Sequence, residues 1–224
     1  MITRIRTILS TEELEEVQTC LRKAPYSDWV DGALTAGPRA QAVKHNLHLN
    51  NSSLRVSALR IIQDAIKRSK TFQFSALPLK YSIPMINRYR AGMSYGLHTD
   101  DAIMGGGLRS DLAATLFLSS PTDYIGGELN IPSGFDVHSV KGEAGELVLY
   151  PANSIHEVTP IQEGTRDVAV FWVQSMIRDE VQREILWTQH ESIRSLTDDG
   201  KASESDLLAL SQNYQNLLRI WAQP

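Results

Sequence analysis

The sequence predicts a mainly β domain, an antiparallel sandwich or barrel, with helices before and after it. Between residues 78 and 176, short apolar or alternating runs such as "LAATLFLSS", "GELVLY" and "RDVAVFWVQS" are separated by glycine, proline and polar residues. Such runs are typical of strands. No stretch between them has the length and period of a helix, which disfavours βαβ units and favours an antiparallel arrangement of many short strands.

Residues 1–77 are predicted to form an N-terminal helical region that supports the β domain. Ser10 and Glu13 have the spacing of a capping box at the start of a first helix. Residues 52–70 carry apolar side chains at helical spacing and predict a second helix. The segment between the two helices, residues 25–46, is rich in turn-forming residues and predicts a loop.

Residues 177–224 predict a C-terminal helical hairpin. Two amphipathic segments, "RDEVQREILWTQHESIRSL" and "ESDLLALSQNYQNLLRIWAQ", are separated by the turn "TDDGKAS". We expect this hairpin to cover the barrel or to contact a neighbouring subunit, so a homodimer is possible. The core between the two helical regions, residues 78–176, is the expected catalytic part.

Composition restricts the classes of function. The 224 residues carry a formal net charge of −4, which gives no reason to expect nucleic-acid binding. Cys20 is the single cysteine, so an internal disulfide and a cysteine-cluster metal site are both excluded. No apolar run has the length of a signal peptide or a membrane span. We therefore expect a cytoplasmic protein without a membrane partner.

Two histidines and a carboxylate form a candidate metal site. His98 and Asp100 lie two residues apart in "YGLHTDD", and His156 follows 58 residues after His98 (156 − 98). A barrel brings strands distant in sequence side by side, so the three residues can share one site. Two histidines and one carboxylate are the ligand set of non-haem Fe(II) oxygenases, and they leave coordination positions open for co-substrate and oxygen.

Arg166 is a candidate anchor for an organic acid. It follows His156 by ten residues across the turn "PIQEGT", so two antiparallel strands could direct both side chains into one cavity. A guanidinium group binds a carboxylate through two parallel hydrogen bonds. An Fe(II) enzyme that takes electrons from a 2-oxo acid needs such a cation for the distal carboxylate of that acid.

The chain resembles the PKHD-type hydroxylases, in the prolyl 4-hydroxylase branch of the Fe(II)/2-oxoglutarate-dependent dioxygenases. The motifs "NRYRAGMSYGLHTD", "GGELNI", "GELVLYPANSIHEVTPIQEGTR" and "FWVQSMIRD" carry this resemblance. It implies a double-stranded β-helix, a jelly-roll barrel. It also implies that His98, Asp100 and His156 are the catalytic iron ligands, that Arg166 and Tyr89 bind 2-oxoglutarate, and that ascorbate serves as reductant. Such an enzyme uses O₂ and releases succinate and CO₂.

Several alternatives remain open from the sequence. A metal-binding cupin without an oxo acid, or a non-catalytic sensor of iron or 2-oxoglutarate, could use the same fold. The prime substrate could be peptidyl or a small molecule, and the resemblance implies a link to iron homeostasis.

The segment "MGGGLRSD" predicts a flexible flap at the active site, and Gly126 and Gly127 predict a tight strand entry. Trp172 lies in an alternating apolar run that predicts a core position.

Overall fold

The protein is built from sixteen strands and six α-helices within the residues described by this computed structural model, 1–50 and 52–223. The strands are, in chain order, β1 (Thr3–Ile5), β2 (Trp29–Asp31), β3 (Lys44–His45), β4 (Leu47–Leu49), β5 (Pro78–Tyr81), β6 (Met85–Arg90), β7 (Ser94–His98), β8 (Ile103–Met104), β9 (Leu108–Arg109), β10 (Leu112–Phe117), β11 (Tyr124–Gly126), β12 (Leu129–Ser133), β13 (Asp136–Val140), β14 (Leu147–Pro151), β15 (His156–Val158) and β16 (Ile161–Ser175). The helices are α1 (Thr11–Lys23), α2 (Pro38–Gln41), α3 (Ser53–Arg68), α4 (Lys70–Ala76), α5 (Glu180–Asp199) and α6 (Glu204–Trp221).

Two antiparallel sheets form the barrel. The major sheet has the strand order β1-β14-β10-β16-β6-β4-β2, with β5 and β11 also paired to β16. The minor sheet has the order β13-β12-β15-β7-β3. Strands distant in sequence are neighbours in both sheets, as the barrel prediction requires. This arrangement confirms the predicted β architecture with helices on either side.

Alternation along the central strands separates two cores. In β10, Leu112, Ala114 and Leu116 pack with the N-terminal helices, whereas Ala113 and Phe117 pack between the two sheets. Both faces of this strand are therefore buried, because helices cover the outer face of the major sheet. The inner face is left to line the space in which the candidate site lies.

The N-terminal region differs in part from its prediction. Helix α1 begins with the predicted capping box: Ser10 Oγ accepts a hydrogen bond from the Glu13 N–H, and the Glu13 carboxylate accepts one from the Ser10 N–H. The predicted loop at residues 25–46, however, contains β2, β3 and α2. Strand β2 pairs with β4 at the edge of the major sheet, and β3 pairs with β7 at the edge of the minor sheet. Strands of two or three residues are too short to show alternation.

The C-terminal hairpin packs on the barrel through a small third core. Leu186 of α5 and Tyr214 of α6 are buried with Leu77 and Ile177, and partly buried Phe74 packs against them. Helix α5 also contacts α4 directly. The hairpin therefore covers the end of the barrel where β16 leaves the sheet. No helix in the described ranges is both long enough and apolar enough to cross a membrane.

Truncation of this third core should destabilise the protein measurably. Leu186 is fully buried, and Leu→Ala at such a site costs about 2–5 kcal/mol in the free energy of unfolding. We expect Leu186→Ala to show that loss in urea unfolding. Leu208→Ala is the matched control, because the Leu208 side chain is exposed and its removal should change the unfolding free energy by less than about 0.5 kcal/mol. Equal effects of the two changes would contradict the packing described.

Candidate active site

Strand pairing brings the three predicted metal ligands together. Strands β7 and β15 are antiparallel neighbours in the minor sheet, and His98 lies directly opposite His156. The two imidazole ring centroids are 4.2 Å apart. Asp100 follows the end of β7, and one ligand atom from each of the three side chains lies within 4.8 Å of the other two. One register pair thus brings together two histidines that lie 58 residues apart in the sequence.

Backbone carbonyls orient both imidazoles. His98 Nδ1 lies 2.8 Å from the Gly96 oxygen, and His156 Nδ1 lies 3.1 Å from the Ser154 oxygen. A carbonyl oxygen can only accept, so each Nδ1 carries a proton and donates it. The lone pair of each ring is then on Nε2. This is the arrangement found for histidine ligands of metals, in which the second ring nitrogen is held by an outer partner.

The charge states of these groups fit a divalent cation. Burial and the neighbouring His156 lower the pKa of His98 to about 3, so this imidazole is neutral at pH 7. Burial raises the pKa of the Asp100 carboxyl. The Asp100 Oδ2 atom is buried and has no hydrogen-bond partner among residues 1–50 and 52–223. A bound cation would satisfy that oxygen and favour the ionised carboxylate, and a 2-His-1-carboxylate set suits Fe(II).

Arg166 is a buried cation without a partner. Its side chain is 1% exposed, and none of its three guanidinium nitrogens has a hydrogen-bond acceptor in the described part of the chain. It lies opposite Tyr89 in the pairing of β16 with β6. The guanidinium carbon is 5.2 Å from the centre of the Tyr89 ring and 5.3 Å from that of Phe117. An unpaired buried charge is costly, so this arrangement favours an anionic ligand.

Tyr124 is a neighbour of Arg166 that sequence reasoning missed. Its hydroxyl is buried and also lacks a partner within the described ranges. Burial raises the pKa of Tyr124, and the charge of Arg166 opposes that change. Gly127 lies against both side chains: a methyl group added there would be 3.0 Å from Arg166 Cδ and 3.1 Å from Tyr124 Cε2. The predicted tight approach at the glycine pair is confirmed: Gly127 lies against Ile161 as well as these two residues, and Gly126 lies against the Pro160 backbone.

One cavity joins the metal-ligand cluster to Arg166. Its lining includes His98, Asp100, His156, Tyr89 and Arg166. The cavity measures ≈ 90 Å³. One water needs roughly 10–15 Å³ by the same measure, so a small organic acid of several heavy atoms is within its capacity. Trp172, which alternation predicts in the core, packs partly against the inner core and also lines this cavity.

The other histidines lie outside this cluster. His45 and His138 are exposed, His48 Nδ1 lies 3.3 Å from the Asn87 side-chain oxygen, and His190 stacks on Phe74. None of them belongs to the group of potential metal ligands found in the described residues. His45 and His138 are therefore surface residues, and His48 and His190 make structural contacts.

The predicted flap is a short hairpin at the edge of the cavity. Strands β8 and β9 pair across the three glycines Gly105–Gly107, and Met104 of β8 lines the cavity. Gly106 and Gly107 have positive φ angles, which glycine adopts without strain. The segment is therefore a turn at the rim of the site.

Family models match two parts of the chain. Residues 84–174 match the 2OG-Fe(II) oxygenase superfamily, and residues 180–223 match the PKHD-type hydroxylase C-terminal domain. A PKHD-type hydroxylase of Stenotrophomonas maltophilia (strain R551-3) is 43% identical over 228 residues and covers 100% of both chains. One from Gloeothece citriformis is 40% identical, again with 100% of both chains covered.

Solved structures share the fold. A prolyl-4-hydroxylase of Pseudomonas putida has a TM-score of 0.55 and 17% identity, covering 78% of this chain and 92% of its own. A Trichoplax adhaerens prolyl hydroxylase in complex with a hypoxia inducible factor peptide fragment has a TM-score of 0.57 and 17% identity, covering 77% and 82%. The full-length similarity to curated relatives establishes the family. The chain belongs to the PKHD-type hydroxylases and is a 2-oxoglutarate-dependent hydroxylase of the Fe(II) oxygenase superfamily.

Proposed function

We propose that this protein hydroxylates an unactivated C–H bond of a peptidyl or small-molecule substrate, with release of succinate and CO₂. In this proposal His98, Asp100 and His156 hold Fe(II), and Arg166 binds the distal carboxylate of 2-oxoglutarate. The observation that carries it is the unpaired, buried guanidinium of Arg166 in the same cavity as the three-ligand cluster. A metal site alone would leave that charge without a function.

The ligand set serves a redox reaction with a co-substrate. When bound, Fe(II) would supply the oxidising chemistry with 2-oxoglutarate and O₂, and the chain would supply ligand geometry and orientation. The two Nε2 atoms and the Asp100 carboxylate would hold the ion, and three protein ligands would leave coordination positions for the co-substrate. The Gly96 and Ser154 carbonyls keep His98 and His156 in the tautomer that this requires.

The far end of the cavity would bind the second carboxylate. Arg166 offers a rigid fork of N–H donors, and Tyr89, which also lines the cavity, carries a hydroxyl that can donate. Burial raises the pKa of Tyr89 to about 12, so its hydroxyl keeps its proton at neutral pH. The rings of Tyr89 and Phe117 flank the guanidinium and exclude water from it. Such a dry pocket strengthens the pairing of the carboxylate with Arg166.

Succinate release tests the proposal against its alternatives. The protein is incubated with Fe(II), 2-oxoglutarate, O₂ and ascorbate, with and without candidate peptides and small molecules, and succinate is measured. We expect 2-oxoglutarate-dependent succinate, raised by the prime substrate. A cupin without an oxo acid would bind the metal but not 2-oxoglutarate. A sensor would bind both and release no succinate under any condition.

Further parts of the proposal concern the substrate, the reductant, the location and the assembly. The two prolyl hydroxylases that share the fold, one of them in complex with a peptide fragment, support a peptidyl substrate. Ascorbate as reductant and a link to iron homeostasis rest on the family resemblance, whereas a cytoplasmic location rests on the sequence expectation given above. Exposed apolar side chains on the hairpin, among them Val181, Ile185 and Ile220, support a homodimer, which sedimentation equilibrium would detect as twice the chain mass.

Gly127 should be essential for the position of Arg166. Gly127→Ala would place a methyl group against Arg166 Cδ and the Ile161 side chain, so we expect 2-oxoglutarate to bind at least about tenfold more weakly. Calorimetry on the Zn(II)-loaded protein measures this affinity. Gly134→Ala is the control, because Gly134 also has a positive φ but has no atoms near the added methyl group. Equal affinities of the two variants for 2-oxoglutarate would contradict the prediction.

A further inference from the structure

A second buried cation, Lys44, lines the cavity on another side from Arg166. Lys44 is 4% exposed and belongs to β3, the edge strand of the minor sheet, whereas Arg166 belongs to the major sheet. The charge of Lys44 acts on His98 and Asp100. The charge of Arg166 acts on the tyrosines at the other end, Tyr89 among them. The two cations therefore serve different parts of the cavity.

The strand pairing holds Lys44 beside the metal-ligand cluster. Lys44 lies opposite Tyr95 in the pairing of β3 with β7, and its Nζ is 5.0 Å from the centre of the Tyr95 ring. The ring of the same tyrosine stacks on the imidazole of His98, and the two ring centroids are 3.5 Å apart. A ligand group bound to Lys44 would therefore lie next to the metal site, outside the pocket formed by Arg166 and its tyrosines.

One hydrogen bond orients the ammonium group and leaves donors free. Lys44 Nζ lies 2.8 Å from Thr35 Oγ1, and the Thr35 hydroxyl donates its own proton to the Gly32 carbonyl oxygen at 2.7 Å. Thr35 must therefore accept from Lys44. This is the one hydrogen bond of the ammonium group in the part of the chain described, so two of its three N–H donors are available to a ligand.

No carboxylate of the described residues forms an ion pair with Lys44. The two that act on it are Asp100 and Asp31. Asp100 is a proposed metal ligand, and Asp31 is exposed and accepts a hydrogen bond from the Ala33 N–H. Burial lowers the pKa of Lys44 to about 8, so the group still carries its charge at pH 7. A buried, charged and incompletely bonded lysine is costly unless a ligand completes its bonding.

With a divalent ion and 2-oxoglutarate bound, the site would carry one positive charge that no anion offsets. A divalent ion with Asp100 has one net positive charge, and Arg166 and Lys44 add one each. Dianionic 2-oxoglutarate offsets two of these three charges, so one positive charge remains. Asp101 also lines the cavity, but it is exposed at the rim, where water screens its charge.

We propose that Lys44 binds a carboxylate of the prime substrate, so that the enzyme hydroxylates a carboxylic acid, free or at a peptide C-terminus. This inference rests on the proposed function. A single ammonium with two free donors suits a monoanionic carboxylate better than a phosphate, which needs more donors and more charge. The small side chains of Ala36 and Ala40, with Gly37, line the cavity near Thr35 and leave room for the substrate.

Matched pairs of acids and amides test this proposal. The probes are the N-acetyl derivatives of the standard amino acids, each as free acid and as primary amide. Binding is measured by ligand-observed NMR on protein loaded with Zn(II) and saturated with 2-oxoglutarate, which needs no turnover. We expect acids that bind the parent to do so about ten- to a hundredfold more tightly than their own amides, the usual effect of a hydrogen bond to a charged group.

Four variants test whether the preference for acids over amides depends on Lys44. Lys44→Met keeps the apolar stem and should abolish the preference for acids, while Lys44→Arg should retain it. Thr35→Val leaves the lysine but removes its orienting acceptor, and should reduce the preference. Lys67→Met removes an exposed lysine of α3 outside the cavity and should change nothing. The affinity for 2-oxoglutarate should be the same in all four variants.

Each contrary result has one meaning. No preference for acids in the parent, or an undiminished preference in Lys44→Met, overturns the proposal. Loss of 2-oxoglutarate affinity in Lys44→Met would assign the lysine to the oxo acid, which also overturns it. Failure of the parent itself to bind 2-oxoglutarate would instead contradict the proposed function, and that is measured before any probe is added.

Discussion

Arg166→Leu is expected to weaken 2-oxoglutarate binding by on the order of a hundredfold or more and to leave Fe(II) binding nearly unchanged. Removal of one partner of a buried charge pair costs about 3–5 kcal/mol, because the other charge is left unpaired. Each 1.4 kcal/mol is about a tenfold change in affinity. Arg166→Lys should weaken binding less, since it keeps the charge and loses the planar fork. Calorimetric titration of the Zn(II)-loaded variants measures both effects.

The free energy of unfolding distinguishes a ligand anchor from a structural arginine. Without ligand, Arg166 is a buried cation with no acceptor in residues 1–50 and 52–223, so its replacement by leucine should not destabilise the protein. Arg88 is the contrasting control on the paired strand. Its guanidinium donates to both carboxylate oxygens of Asp167 at 2.7 Å, so Arg88→Leu leaves a carboxylate unpaired and should destabilise the fold.

These two readouts together decide the role of Arg166. If Arg166→Leu lowers the free energy of unfolding as Arg88→Leu does and keeps the parent's affinity for 2-oxoglutarate, the arginine is structural. The assignment of the far end of the cavity to the oxo acid would then fail. The metal-ligand assignment does not depend on this result and needs its own test.

Replacement of any one proposed metal ligand should abolish tight Fe(II) binding. Loss of an outer-shell partner of a ligand typically costs about 10–100-fold in metal affinity, and loss of the ligand itself should cost more. We expect this for His98→Ala, Asp100→Ala and His156→Ala in anaerobic Fe(II) titrations. The fold should persist in each, because the Asp100 Oδ2 and the two Nε2 atoms form no hydrogen bond in the described structure.

A surface histidine provides the matched control for this series. His138 is exposed on β13 and lies outside the group of three, so His138→Ala should bind Fe(II) as the parent does. A proposed ligand whose alanine variant behaves like His138→Ala is not a ligand. Asp100→Asn adds a check on charge, because it keeps the shape of the side chain and removes the anion that a divalent ion requires.

The sequence predicted which side chains lie together around the cavity, because their positions depend on the pairing of strands. His98 and His156 meet through a direct register pair of β7 and β15, and Arg166 lies opposite Tyr89 through a pair of β16 and β6. A barrel of antiparallel strands requires such pairs between strands that are distant in sequence. The motifs that carry the family resemblance then selected His98, His156 and Arg166 from the many possible pairs.

The sequence did not predict the positions of Lys44, Tyr124 and Trp172 in or near the site. Lys44 lies in a segment predicted as a loop, and a strand of two residues shows no alternation. Tyr124 precedes a glycine pair whose pattern indicates only a close approach of the backbone. Trp172 lies in a strand that is apolar on both faces, where alternation does not separate core from cavity. Their roles depend on tertiary neighbours that no local pattern encodes.

The central claim is that the metal cluster and Arg166 bind the two ends of one molecule. The most direct test is the affinity for 2-oxoglutarate with and without Zn(II), measured by calorimetry on the same protein. If the claim is right, the metal strengthens 2-oxoglutarate binding at least about tenfold, the oxo acid strengthens metal binding by the same factor, and Asp100→Ala loses both effects. Equal affinities for 2-oxoglutarate in the presence and absence of the metal would contradict the account.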